Sequence, residues 1–252
     1  MSVPPRYEVI GVEGIGEVRP GDDVARLVVA AAAHQRTPVA TGDVLVISQK
    51  IVSKSEGRLL RLSEVAPSSM ATAFAAELGR DPRLIEVILR ESRRIVRMDR
   101  GVLVTETHHG WVCANAGVDQ SNVDADTVAL LPEDPDRSAR ALRDAVRAQT
   151  RAEVHVIVAD TFGRPWREGL VNIAIGVAGF APLRSYLGER DPAGRPLQAT
   201  ILAIADELAA AAEPVMGKLD RIPAAIVRGL PLSPSEDGSK ALLRDPARDL
   251  FR

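Results

Sequence analysis

The chain has 252 residues, 46% of them hydrophobic, enough for one large domain or two intimately packed lobes around a sizeable core. Its 32 lysines and arginines against 34 acidic residues leave a formal net charge of −2, so no global basic field suggests nucleic acid, although a local patch can still meet phosphates. The single cysteine, Cys113, excludes an intramolecular disulfide and fits a reducing cytoplasm, and the proline-containing N-terminus and the lack of any stretch near the roughly 20 apolar residues of a membrane span argue against export or insertion.

In chain order, Glu8–Val12 reads as a strand. Pro20-Gly21-Asp22 then opens an apolar-periodic helix to about His34, with Asp22 as N-cap. The β-branched run Gly42–Gly57 reads as a strand ending in Ser, Lys and Glu. Between Ser68 and Ser92 the period turns helical, in two pieces broken near Gly79-Arg80-Asp81-Pro82. The next segment, to Gly117, reads as an antiparallel meander of short strands with turns at Asp99-Arg100-Gly101 and His109-Gly110. Arg137–Thr150 is helical, Glu153–Ala159 a strong strand, Ala199–Ala212 an alanine-rich helix and Ile222–Val227 a last buried strand. Hairpins together with helices arriving in blocks favour a mixed α+β domain, residues 1–252, over a regularly wound parallel sheet.

Two polar segments stand at strand ends. "WVCANAGVDQSNVD" (Trp111–Asp124) passes from an apolar strand into Asn, Gly, Asp, Gln and Ser, residues that bind phosphate or metal and equally make turns. "DTFGRPWREG" (Asp160–Gly169) follows the strand Val154–Val158 and sets a carboxylate and a hydroxyl beside Arg164 and Arg167. Carboxylates and hydroxyls are hard oxygen ligands suited to Mg²⁺ or Mn²⁺, and arginine suits phosphate oxygens. Together the two segments make a metal–phosphate site a coherent reading, against the plainer one of two turns.

The usual nucleotide fingerprints are missing: there is no G-x-x-x-x-G-K-[ST], and "GIGEV" (Gly14–Val18) stops short of G-x-G-x-x-G. Lys50 and Lys54 can reach a phosphate as point charges or simply be solvated at a strand end. The His108-His109 pair cannot easily chelate one ion if adjacent strand residues face opposite ways, Cys113 reads as a small core residue, and Trp111 and Trp166 read as packing residues. The helix exit at Met216-Gly217-Lys218 can offer backbone amides to a phosphate.

"SQKIVSKSEG", "NAGVDQSNVD", "DTFGRPWREG" and "MGK" before a terminal strand, in that order over nearly the whole chain, resemble the coenzyme F420:L-glutamate ligase family. The likeness extends to the N-terminal domain of an actinobacterial two-domain form in which a flavin-binding domain follows. The resemblance implies an α+β fold in an interlocked homodimer, and a cytoplasmic ligase that joins L-glutamate to the deazaflavin precursor F420-0. It further implies GTP as co-substrate, two Mg²⁺ or Mn²⁺ ions, and K⁺ as a further cation. Carried over by motif, Asp119 and Asp160 would hold metal, Thr161 would complete a second metal position, and Asn122 would contact the nucleotide. Gln49, Lys54, Ile15, Gly16, Glu17, Val18, Met216, Gly217 and Lys218 would line the GTP pocket. Asp119, Asp160, Arg164 and Arg167 would carry the reaction, the arginines on the γ-phosphate or on a substrate carboxylate. The chain departs from the family pattern in its early loop and at Lys218, where some relatives are expected to carry a metal-coordinating glutamine. A metal-dependent phosphate-ester hydrolase and a non-catalytic nucleotide-binding module are the rival readings.

Overall fold

The computed structural model describes residues 4–249. Strand β1 (Glu8–Gly11) leads through an irregular stretch to helix α1 (Val24–His34). Its cap is Asp23, which accepts from the Arg26 amide at 2.9 Å. Asp22, expected in that role, accepts instead from the Arg19 amide and closes the preceding turn. Strand β2 (Val44–Ser48) runs directly into helix α2 (Gln49–Ser55), so the long strand expected over Gly42–Gly57 is a strand and a helix. Local β-branched composition loses here because Ser48 caps the next turn and Ile51 and Val52 pack into the core from a helical face.

After β3 (Leu59–Arg61) come α3 (Ser69–Leu78) and α4 (Pro82–Arg90), broken at Gly79 as the sequence indicates. Strands β4 (Ser92–Asp99), β5 (Val102–Thr107) and β6 (Val112–Ala114) form the antiparallel meander, and β7 (Thr127–Ala129) pairs with β3. His108 and His109 occupy the turn after β5 rather than a strand, and bond different carbonyls, those of Arg90 and of Pro132 and Glu133. Helix α5 (Pro135–Thr150) precedes β8 (His155–Arg164) and β9 (Arg167–Ala178). These two strands form a hairpin, so Asp160–Gly169 is mostly extended and not a loop. A small ribbon, β10 (Arg184–Ser185) with β11 (Ile201–Leu202), takes the residues expected to start the last helix. That helix, α6, spans Ile204–Met216, and β12 (Ala224–Arg228) closes the set.

The central sheet has the order β1-β12-β2-β8-β9, with β2 and β8 parallel and every other pair antiparallel. Both faces are covered. Along β2, Leu45 and Ile47 point into a core shared with α1 and α5, while Val44 and Val46 point into a second core under α6. Two buried faces explain why this strand reads as an unbroken apolar run. Asp43, only 1% exposed, receives two 2.7 Å bonds from the Arg228 guanidinium and ties the start of β2 to the end of β12. A third core gathers α3, α4 and the meander around Leu84, Ile88 and Leu103. Among the described residues no helix is long and apolar enough to cross a membrane.

Candidate active site

The parallel pair β2 and β8 ends with Ser48 beside Ala159, and chemistry-bearing residues gather beyond that point. Pleating sends successive side chains of β8 to opposite faces. Ala159 belongs to the core under α6 and Phe162 to the core under α1 and α5, so Asp160 faces the α2 side and Thr161 the α6 side. The Asp160 carboxyl is pushed up to about 6, chiefly by burial, with the charge of Asp119 adding to the rise and Lys50 and Lys218 opposing it.

Asp119 arrives from a separate part of the chain. After β6 three consecutive residues, Asn115, Ala116 and Gly117, adopt left-handed φ angles of 55°, 54° and 71°. Such a run is costly for non-glycine residues and is held here by its surroundings. Arg80 donates to the Asn115 side chain at 2.7 Å, and a Cβ on Gly117 would lie 2.7 Å from Leu131. Asp119 is then fixed by a backbone bridge to Ala129. Its carboxylate accepts from Lys50 Nζ at 2.9 Å and from the Ser121 amide at 2.7 Å, and Lys50 also donates to Ser121 Oγ at 2.7 Å. Burial alone would raise this carboxyl, but the Lys50 and Ser121 bonds outweigh it and hold it below its ordinary value.

On the other face, the Thr161 hydroxyl donates to Asn172 Oδ1 at 2.7 Å and accepts from Lys218 Nζ at 2.6 Å. Lys218 is also paired with Glu213 at 2.7 Å. It follows Gly217, whose φ of 60° and ψ of −173° lie in a region essentially reserved for glycine. A Cβ there would stand 2.1 Å from an Asp220 carboxylate oxygen. Asn172 is not among the residues the sequence singles out, its one signal being a polar residue within the apolar run "LVNIAIGVA" of β9, whereas Ser121 lies within the polar stretch already noted.

The remaining expected residues fall into three groups. Lys54 lies one turn beyond Lys50 on the same face of α2, about 6 Å along the axis, and pairs with Glu17, which pins the early loop alongside the helix. In that loop Ile15 and Val18 are buried, Gly16 and Glu17 exposed. Gln49 is buried within α2 and accepts from the Ser53 hydroxyl at 2.8 Å, and Met216 is buried at the end of α6. Asn122 is exposed at a left-handed φ of 56° in the turn after Asp119. Arg164 and Arg167 face each other at the end of the β8–β9 hairpin, with Arg164 about 13 Å along the strand from Asp160. Arg164 Nη2 donates to the Glu168 carbonyl at 2.7 Å, and its Nε is buried without a hydrogen bond. Trp166, expected to pack, is 80% exposed at the hairpin turn. Cys113 is a core residue as expected; its thiol is pushed up to about 12, mainly by burial, with the Asp160 charge adding, and so is no nucleophile. A separate cleft of about 230 Å³ between α1, α2 and α5 lies away from these groups.

Among the described residues no three His, Cys, Asp or Glu side chains form one metal-holding group. Two carboxylates approaching with a threonine hydroxyl nevertheless make a hard-oxygen donor set. That set suits Mg²⁺ or Mn²⁺ held by one or two carboxylates, with the rest of the coordination sphere supplied by water and substrate phosphates.

Residues 14–229 match the family model described as F420-0:Gamma-glutamyl ligase. The chain belongs to this family. A protein named coenzyme F420:L-glutamate ligase from Methanothermobacter thermautotrophicus is 47% identical over 247 residues, 97% of this chain and 98% of its own. One of the same name from Methanopyrus kandleri is 48% identical over 94% of each chain, and another from Haloarcula marismortui is 42% identical over 97% of this chain and 95% of its own. The mixed, largely antiparallel α+β architecture agrees with the fold expected of this family.

Proposed function

We propose that the chain is a ligase that joins L-glutamate to the carboxylate of F420-0 at the expense of GTP, in the cytoplasm and as a homodimer. Family membership and full-length likeness to proteins named coenzyme F420:L-glutamate ligase support the acceptor and the amino acid. The observation that supports the phosphate chemistry is the ion pair of Asp119 with Lys50, both close enough for their charges to act on Asp160 just beyond the end of a parallel strand pair.

The reaction has a simple physical problem. A carboxylate is a poor electrophile because its oxygen leaves badly, so it is first converted to an acyl phosphate by the γ-phosphoryl of GTP. The glutamate amine then attacks the acyl carbon, the carbon–oxygen bond to phosphate breaks, and an amide, GDP and phosphate result. Divalent cations, when bound, neutralise charge on the phosphates during the first step. Asp119 and Asp160 would hold them from the α2 face and the Thr161 hydroxyl, oriented by Asn172, would add a donor from the α6 face, with K⁺ as a further cation. Lys50, Lys54 and Lys218 carry long, flexible ammonium side chains suited to phosphate oxygens. The Gly217 amide is taken by the Glu213 carbonyl at 2.9 Å, so the Lys218 main chain, the early loop Ile15–Val18, Gln49, Met216 and Asn122 are left to complete the nucleotide's surroundings. Arg164 and Arg167, further out on the hairpin, are suited to the carboxylates of the acceptor or of glutamate rather than to the γ-phosphate.

The test is release of GDP with and without L-glutamate in the presence of F420-0. A ligase completes turnover only with the amine acceptor. GDP release at the same rate without glutamate would make the protein a hydrolase, and no GDP under any condition would leave a non-catalytic binding module.

A further inference from the structure

We propose that Lys50 and Lys218 are exchangeable occupants of the oxygen positions used by the divalent cations, and that this exchange makes cation and nucleotide binding mutually dependent. The inference rests on the metal–nucleotide reading above and adds to it a mechanism of coupling.

Lys50 comes from the α2 face and donates to Asp119 Oδ2 at 2.9 Å and to Ser121 Oγ at 2.7 Å. Lys218 comes from the opposite face and donates to Thr161 Oγ1 at 2.6 Å. Asp119 and Thr161 are two of the three donors assigned to metal, so each of those oxygens already carries an ammonium. A divalent cation at about 2.1 Å from the same oxygens would stand beside the ammonium, and two cations so close repel strongly in a half-buried setting. Lysine and metal therefore exclude one another. The geometry of both lysines allows departure: each has a four-carbon stem, Lys50 lies in the first turn of α2, and the Lys218 side chain, more than half exposed, follows the glycine hinge at the end of α6.

A displaced ammonium needs a new partner. Glu213 can keep Lys218 on one side, whereas the two carboxylates that meet the Lys50 charge, Asp119 and Asp160, are both assigned to metal. Nucleotide phosphates supply it. With phosphates present, the lysines move onto phosphate oxygens and the carboxylate and hydroxyl turn to the metal; without them, a divalent cation has to strand at least one ammonium. Each ligand thus raises the affinity of the other by the same factor, as reciprocity of linked binding requires.

The experiment follows free Mn²⁺ by its electron paramagnetic resonance signal in titrations of the full chain, with and without GDP, after subtraction of the Mn²⁺ held by GDP alone. Wild type, Lys50→Met, Lys218→Met and the double variant are compared, with Lys50→Arg as a charge-preserving control and melting temperatures as a check on folding. In wild type, GDP should raise Mn²⁺ affinity about tenfold or more, within the usual range of linked sites. Each Met variant should bind Mn²⁺ alone several-fold more tightly, and the double variant should show a GDP effect of about twofold or less, while Lys50→Arg stays like wild type. Equal Mn²⁺ affinity and an equal GDP effect across all chains would overturn the coupling and leave the site standing. No Mn²⁺ uptake by wild type with or without GDP, or unchanged uptake by Asp160→Asn, would overturn the site itself and the coupling with it.

Discussion

At the scale of single residues, Asp160 separates stability from activity. Its carboxyl is raised to about 6 by burial, so above that pH the folded chain holds a charge that would be better solvated in the unfolded one. Asp160→Asn removes that cost. Its melting temperature at pH 7.5, measured in chelator, should equal or exceed that of wild type, while turnover falls about 100-fold or more, the loss expected when one preorganised electrostatic group is removed. A variant that melts earlier and still turns over would assign Asp160 to structure. Gly217 makes the complementary case. Its backbone is of the glycine-only kind and a methyl would strike Asp220, so Gly217→Ala should cost about 1–3 kcal/mol in urea denaturation and weaken nucleotide binding through the displaced Lys218. Asp160 stands out in the sequence because a carboxylate follows an apolar strand run, and Asp119 because it lies in the polar stretch after β6, five residues past Ala114. Asn172 does not stand out, because its bond with Thr161 is made across the β8–β9 hairpin and nothing local in the sequence records that pairing.

At the scale of elements, the helical pair α3 and α4 offers a pH test far from the site. Glu86 of α4 accepts from the Ser68 amide at 2.9 Å and so caps α3 from its neighbour, while pairing with Arg90 on its own helix. Hydrogen bonds from Ser68, then Arg90, hold its carboxyl down to about 2. Its folded value is below the unfolded one, so its contribution is fully present above pH 4.5 and is lost as pH falls from about 4.5 to 2. Glu86→Gln should therefore lose about 1 kcal/mol at pH 7 and show a flatter acid limb over that window in urea denaturation; a limb as steep as wild type would place the acid sensitivity elsewhere. This pair was readable because Gly79 and the Asp81-Pro82 start are local signals. The junction of β2 and α2 was not. There β-branched residues satisfy strand and helix patterns alike, and only the cap from Ser48 and the tertiary burial of Ile51 and Val52 decide between them.

At the scale of the whole molecule, the fold class followed from hairpins and helix blocks, but the parallel contact of β2 with β8 did not. It joins segments over a hundred residues apart, and nothing local records the pairing. Oligomeric state is open to a direct test. The β8–β9 hairpin carries Trp166, 80% exposed, and Leu170, 66% exposed, an apolar tip that a second copy would cover. Sedimentation velocity at micromolar protein should give a dimer, and the double variant Trp166→Ser with Leu170→Ser should shift it toward monomer; a wild-type monomer would contradict the interlocked assembly.

Above all, this chain is proposed to form an amide between glutamate and a deazaflavin carboxylate. The most direct test is mass spectrometry of F420-0 after incubation with the protein, L-glutamate, GTP and Mn²⁺, with each component omitted in turn. A product heavier by one or more glutamyl units, and dependent on every component, is the predicted result. An unchanged precursor, in the presence of folded protein and all four partners, would contradict the account.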